Sequence, residues 1–216
     1  MTVLKNWQVS PQDLFAMGPI VPVLVIKDVA DALPIAEALL TSGIKVLEVT
    51  LRTPSALDVI NTIAKELPEA VIGAGTVTNK EQLQQSYDAG AKFAISPGLT
   101  KDLLQAGTAG KIALIPGISS ISEMMDAIDS GYDHLKFFPA EASGGVKAIQ
   151  SIGGPFPDIK FCPTGGININ NIKDYLALPN VSCCGGSWLV TDEIVRTKNW
   201  SAITTLANQA LAHINS

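Results

Sequence analysis

Ile20-Val21-Pro22-Val23-Leu24-Val25-Ile26 contains no polar side chain, and Lys27-Asp28-Val29 and then Ala30–Ser42 follow it. The first run has the length of a strand and is apolar on both faces, the pattern of a parallel strand covered on each side. Ala30–Ser42 has helical spacing through Ala32, Ile35, Ala36, Leu39 and Leu40, and Gly43 stops it. The turn between them decides the fold. An open doubly wound sheet normally carries Gly-x-Gly-x-x-Gly after its first strand, and Ile26-Lys27-Asp28-Val29 is no such turn.

The same unit recurs along the chain. Strands are expected near Val46–Thr50, Val71–Ala74, Lys92–Ser96, Ile112–Ile115, His134–Phe137, Lys160–Cys162 and Val181–Cys184. Helices are expected near Ser55–Leu67, Lys80–Ala89, Lys101–Ala106, Ser122–Ser130, Gly145–Ile152, Ile169–Leu176 and Ser201–His213, with a short extra helix at Pro11–Met17. Eight βα units at short spacing predict an α/β fold, a (β/α)8 TIM barrel with a short extra N-terminal helix, forming one domain over residues 1–216.

Composition narrows the function. Of the 216 residues 47% are hydrophobic and 16% charged, which suits a globular chain with a large core. A formal net charge of −5, with no run of lysine or arginine, argues against a nucleic-acid partner. No basic segment followed by an apolar run opens the chain, and no apolar run reaches a membrane span, so the expectation is a cytoplasmic protein with no membrane partner. Cys162, Cys183 and Cys184 lie in apolar, strand-like stretches and suit buried thiols in a reducing compartment. With only His134 and His213, and no Cys-x-x-Cys or His-x-x-x-His spacing, no metal site is expected.

In a barrel the chemistry sits at the C-terminal ends of the strands. Lys136 stands there in His134-Leu135-Lys136-Phe137-Phe138-Pro139-Ala140, an apolar stretch in which an ammonium is poorly hydrated. Desolvation disfavours a charged amine and favours a nucleophilic one, so a Schiff base with a carbonyl substrate is its natural use. Glu48 interrupts Val46-Leu47-Glu48-Val49 in the same way. Period-two alternation sets Glu48, Thr50 and Arg52 on one side, so the carboxylate can face the barrel mouth as a proton shuttle. A structural ion pair with Arg52 or Lys136 is the alternative. Arg52 forks well onto a carboxylate and suits an acidic substrate. Thr164-Gly165-Gly166 and Gly185-Gly186-Ser187 end the seventh and eighth strands, the two loops that commonly build a phosphate site in barrels.

Leu47-Glu48-Val49-Thr50-Leu51-Arg52-Thr53, Gly73-Ala74-Gly75-Thr76-Val77, Ala94-Ile95-Ser96-Pro97-Gly98, Leu114-Ile115-Pro116-Gly117, Lys136-Phe137-Phe138-Pro139-Ala140-Glu141 and Cys162-Pro163-Thr164-Gly165-Gly166 together resemble the 2-keto-3-deoxy-6-phosphogluconate aldolase family, whose bacterial members also act on 4-hydroxy-2-oxoglutarate. The resemblance runs from about Trp7 to the last helix, and the tail after Val190 carries no recognisable motif. It implies a class I carbon–carbon lyase, metal-free, without a cofactor and homotrimeric. The implied reaction converts the phosphorylated keto-acid to pyruvate and glyceraldehyde 3-phosphate, the aldol step of the Entner–Doudoroff pathway. Lys136 is then the Schiff-base lysine and Glu48 the general acid/base. Arg52 and Thr76 hold the pyruvate carboxylate, Pro97 lines the pocket, and Phe138 packs against substrate. Thr164 belongs to the same substrate site, where Gly165, Gly166, Gly186 and Ser187 take the phosphate. A phosphate-binding isomerase or epimerase and a non-catalytic sugar-acid sensor are the rival readings. Neither needs a lysine embedded beside two phenylalanines.

Overall fold

The computed structural model describes residues 6–216, so the first five residues of the expected 1–216 domain lie outside the described residues. Ser10 caps the entry helix α1 (Pro11–Ala16) by accepting the Asp13 N–H at 3.0 Å, with Pro11 at a position where no amide is needed. The regular alternation follows. It begins with β1 (Ile20–Leu24), α2 (Ala32–Thr41), β2 (Val46–Thr50), α3 (Ala56–Glu66), β3 (Val71–Gly75), α4 (Lys80–Asp88), β4 (Phe93–Ile95) and α5 (Lys101–Ala109). It continues with β5 (Ala113–Ile115), β6 (Gly117–Ile118), α6 (Ile121–Asp129), β7 (His134–Phe137), α7 (Gly145–Gly153), β8 (Lys160–Pro163), α8 (Ile172–Leu176) and β9 (Cys184–Gly186). The last two helices are α9 (Asp192–Thr197) and α10 (Trp200–Asn215).

All strand pairs are parallel. One ladder runs β5-β4-β3-β2-β1-β9 and the other β6-β7-β8. Single bridges, Phe161 to Val181 and Thr164 to Gly185, link β8 to the β9 segment. The result is an α/β fold with a curled parallel sheet. Two apolar layers hold it. The larger lies between strands and helices, through residues such as Ile35, Leu39, Leu47, Ile60, Ile63, Leu103 and Tyr175. The smaller gathers Val21, Val46, Phe93, Ile95, Ala113, Ile115, Cys162 and Cys183 from the strand segments, together with Leu14 and Phe15 of α1. Phe15 stacks edge-on against His134 at the start of β7, with ring centroids 5.2 Å apart. Thus α1 covers the N-terminal ends of the strands, and the C-terminal ends are left for loops.

Several expected boundaries move, each for a local reason. The fifth strand is split, because Pro116 has no amide to continue its ladder. Its carbonyl instead accepts the Lys136 N–H at 2.9 Å, which passes the pairing on to β7. The last strand starts at Cys184, whose amide reaches Pro19 O at 2.9 Å, while Val181 makes only its bridge to Phe161. Helix α8 starts three residues later than Ile169, since the Asn171 side chain accepts the Asn168 N–H at 2.8 Å and Asn168 accepts Asn170 N–H at 2.9 Å. These asparagine bonds compete with helical pairing. The short helix α9 is an addition to the expected set, capped by Thr191 at Ile194 N and closed by Lys198 at φ 51°.

Candidate active site

Glu48 comes from β2 and Lys136 from β7, 88 positions apart in the chain, yet Lys136 Nζ lies 3.4 Å from Glu48 Oε1. Lys136 is 6% exposed and Glu48 1%, so the pair is screened from bulk water. Register explains the meeting. In the parallel ladders Glu48 stands beside Gly73, and Lys136 beside Gly117 and Cys162. The carboxylate needs room, and Gly75 provides it: a Cβ at that position would collide with the Glu48 side chain. One step down, Gly73 leaves the corresponding space for the Phe93 ring. The Phe138 ring centroid lies 5.2 Å from Lys136 Nζ, within cation–π range. Of the two ion-pair partners considered for Glu48, the structure gives it Lys136.

Arg52 is exposed at the mouth, and its Nε–H donates to Thr50 Oγ1 at 3.2 Å. The Thr50 hydroxyl in turn donates to Leu24 O at 2.9 Å. This chain of bonds fixes the stem of Arg52 and leaves its terminal fork available. Thr76 follows β3 with φ 59°, a left-handed conformation that is a genuine outlier for a β-branched residue. Its neighbours hold it there, because Leu51 N donates to Gly75 O at 2.8 Å and Val77 N to Ile95 O at 3.1 Å. Pro97 packs its backbone onto Gly117, where a Cβ would come within 2.5 Å of the Pro97 carbonyl carbon. Ser96 Oγ accepts the Gly117 N–H at 3.3 Å. Pro97 is therefore fixed beside the partner residue of Lys136.

The diglycine after β8 continues the pairing with the end of β7. Thr164 N donates to Phe137 O at 2.9 Å, Ala140 N to Thr164 O at 2.8 Å, and Glu141 N to Gly165 O at 3.1 Å. Gly165 and Gly166 have φ values of 102° and 82°, which side-chain-bearing residues rarely adopt. Asn168 and Asn171 side-chain amides donate to Gly166 O at 3.2 and 3.0 Å. Across the Thr164–Gly185 bridge, Gly186 is buried against the Trp188 ring and Ser187 is exposed. The two glycine loops expected from the sequence thus adjoin each other.

The cysteines lie below. All three are free and buried, and Cys183 is pushed well above the ordinary thiol range by its hydrogen bond with Cys162 and by burial. Burial raises Cys184 as well. Among the described residues no three His, Cys, Asp or Glu side chains gather in a way that could hold a metal ion, and no helix is long and apolar enough to cross a membrane.

Some contributors escaped the sequence reading. Thr50 was placed on the Glu48 face, but its service to Arg52 depends on Leu24 of a neighbouring strand. Gly73 and Gly75 stand in a motif that carries the family resemblance, but the side chains they make room for, Phe93 and Glu48, are visible only in the fold. Glu141 belongs to the Lys136–Glu141 stretch but has no role legible from the sequence, and Tyr175 carries no signal beyond its helical position. The Asn168–Asn171 run does carry a turn signal of its own.

A buried amine touching a carboxylate, under a mouth bearing an arginine and two glycine loops, can attack a carbonyl and shuttle a proton beside it. The wider comparisons agree with that chemistry. The chain matches the model of the aldolase family "KDPG and KHG aldolase" over residues 12–206. It is 67% identical over 208 residues to a 2-dehydro-3-deoxy-phosphogluconate aldolase of Pseudoalteromonas atlantica, covering 96% of this chain and 97% of that one. It is 55% identical over 208 residues to the KHG/KDPG aldolase of Escherichia coli, covering 96% and 98% of the two chains. A crystal structure of KDPG aldolase from Legionella pneumophila, with pyruvate captured at low pH as a covalent carbinolamine, superposes with a TM-score of 0.93 at 51% identity, covering 95% of this chain and 100% of that one. The buried lysine–carboxylate pair, the strand-end loops and these likenesses converge: this chain belongs to the KDPG and KHG aldolase family of carbon–carbon lyases.

Proposed function

We propose that the protein cleaves 2-dehydro-3-deoxy-6-phosphogluconate to pyruvate and glyceraldehyde 3-phosphate, and 4-hydroxy-2-oxoglutarate to pyruvate and glyoxylate, through an imine on Lys136. The observation that carries this reading is the buried pair, Lys136 Nζ at 3.4 Å from Glu48 Oε1. The neutral amine adds to the keto carbon to give a carbinolamine, and loss of water gives an iminium. Glu48, directly or through a water, takes the proton of the C4 hydroxyl. The C3–C4 bond then breaks, its electron pair flows into the iminium to give an enamine, and the aldehyde departs. The same carboxylic acid returns a proton to C3, and hydrolysis of the pyruvate imine restores the lysine. The iminium is the electron sink, so the cleavage step asks for no Lewis acid. The carbinolamine captured in the Legionella enzyme is the kind of adduct this sequence passes through.

Arg52, anchored by Thr50, and the strained Thr76 hold the pyruvate carboxylate at the mouth. Pro97 and Phe138 line the pocket. The backbone amides around Thr164, Gly165, Gly166, Gly186 and Ser187 receive the phosphate. A Gly166→Ala variant tests this assignment. An added Cβ meets Glu141 Cγ at 2.5 Å and suffers the φ of 82°, so the loop must shift. The expected outcome, read by coupled pyruvate release, is a fall in kcat/KM for the phosphorylated keto-acid of about tenfold or more, as remote binding energy is lost. Unphosphorylated 4-hydroxy-2-oxoglutarate should lose much less. An unchanged ratio in a folded variant assigns these glycines to turn geometry alone.

The two ladders support closure into a complete (β/α)8 barrel forming one domain. Pro116 passes pairing from β5 to β7, and the bridges at Phe161 and Thr164 span the opposite seam. The inner apolar cluster draws on β1, β2, β4, β5 and β8 and on Cys183 before β9, strands of both ladders, as the filled interior of a barrel does. Three free thiols suit the reducing cytoplasm. The family resemblance supports a homotrimer, and sedimentation at three times the 22.7 kDa chain mass checks it.

A further inference from the structure

Glu141 and Tyr175 lie 34 positions apart, and the Tyr175 hydroxyl donates a hydrogen bond to Glu141 Oε1. Tyr175 is fully buried, whereas Glu141 lies at the surface of the β7–α7 loop. Three neighbours hold the glutamate. Its backbone N–H binds Gly165 O at 3.1 Å, which ties it to the diglycine turn. Its carboxylate reaches the first turn of α7, since Oε1 lies 3.3 Å from where a Gly145 Cβ would stand. There the helix dipole favours a negative charge. Its stem lies over Gly166, with Cγ and Cβ at 2.5 and 2.8 Å from the position of a Cβ there and Cδ farther off at 3.9 Å. A carboxylate beside a phosphate loop should repel the ligand, but the geometry turns the charged head to Tyr175 and α7 and presents the apolar stem to the turn. Burial and the Glu141 carboxylate also push the Tyr175 hydroxyl well above its ordinary range, so it remains a donor.

We infer that Glu141 and Tyr175 are positioning residues that brace the Gly165–Gly166 turn in its anion-receiving shape and thereby set the preference for a phosphorylated over an unphosphorylated keto-acid. The inference rests on the proposed aldolase function and extends it to two residues that touch neither the reacting carbons nor Lys136.

Kinetics on both keto-acids test the inference. Tyr175→Phe deletes one hydroxyl from a packed ring, and KM for 2-dehydro-3-deoxy-6-phosphogluconate should rise about tenfold, the size of one hydrogen bond to a charged group. Its kcat should change far less, and kcat/KM for 4-hydroxy-2-oxoglutarate should stay within about twofold, because that substrate does not use the turn. Glu141→Leu should repeat the split, while Glu141→Gln, which keeps an acceptor oxygen and the stem, should restore most of the lost affinity. The Glu141 pair decides the matter if Tyr175→Phe fails to fold. Equal losses for both substrates, or no loss for either, overturn the inference. A wild-type protein that neither cleaves these keto-acids nor traps pyruvate with borohydride overturns the function on which it stands.

Discussion

Lys136→Ala is expected to abolish aldol cleavage, and borohydride in the presence of pyruvate should add the mass of a reduced adduct to the wild-type protein at Lys136 and at no other lysine. The reason is covalent. Without the amine there is no imine, and without the imine the C3–C4 electron pair has no acceptor. The fold should tolerate the change, because the protein interior loses one cation whose burial costs energy in its own right. The remaining difficulty is Glu48, left buried without its partner, so the variant should melt earlier in proportion to that orphaned carboxylate. Peptide mass mapping after reduction is the decisive measurement. A label on another lysine, or turnover surviving in the alanine variant, removes Lys136 from the mechanism.

Glu48→Gln is expected to lower the cleavage rate by about 10² to 10⁴, the usual contribution of a positioned acid or base. Imine formation should persist, slowly, so borohydride still labels Lys136 in this variant. That combination separates proton transfer from amine chemistry. The amide has almost the same shape and fits over Gly75 as the carboxylate does. If Glu48 served only to balance the charge of Lys136, the variant would unfold at lower temperature with turnover near that of the wild type.

The features legible in the sequence were those whose cause is local. Alternating apolar runs and helical spacing located the βα units, and Glu48 and Lys136 stood out because a charge inside a strand is itself an anomaly. Their contact could be named as an option but not established, since 88 intervening residues and the curl of the sheet decide it. Other features depend on what lies opposite. Gly75 is required by a carboxylate on the neighbouring strand, Thr50 matters through Leu24, and Tyr175 matters through a glutamate on another loop. Pro116 was visible as a proline, but its effect required knowing which side of the strand donates there. The asparagines before α8 show the opposite failure: a readable turn signal was overridden by apolar spacing.

Thr76 bears on how this enzyme could be engineered. A left-handed threonine stores strain of about 1–3 kcal/mol and keeps it only because Gly75 and Val77 on either side are pinned, by Leu51 N–H and Ile95 O. A library screened for thermal tolerance alone would therefore drift toward glycine or asparagine at this position, both of which accept φ near 59° more readily. Such a screen would discard the hydroxyl assigned here to the pyruvate carboxylate. The gain in melting temperature would come at the expense of substrate capture, the recurrent conflict between robustness and activity. Stabilising this scaffold is better begun on the outer helices, far from the strand ends.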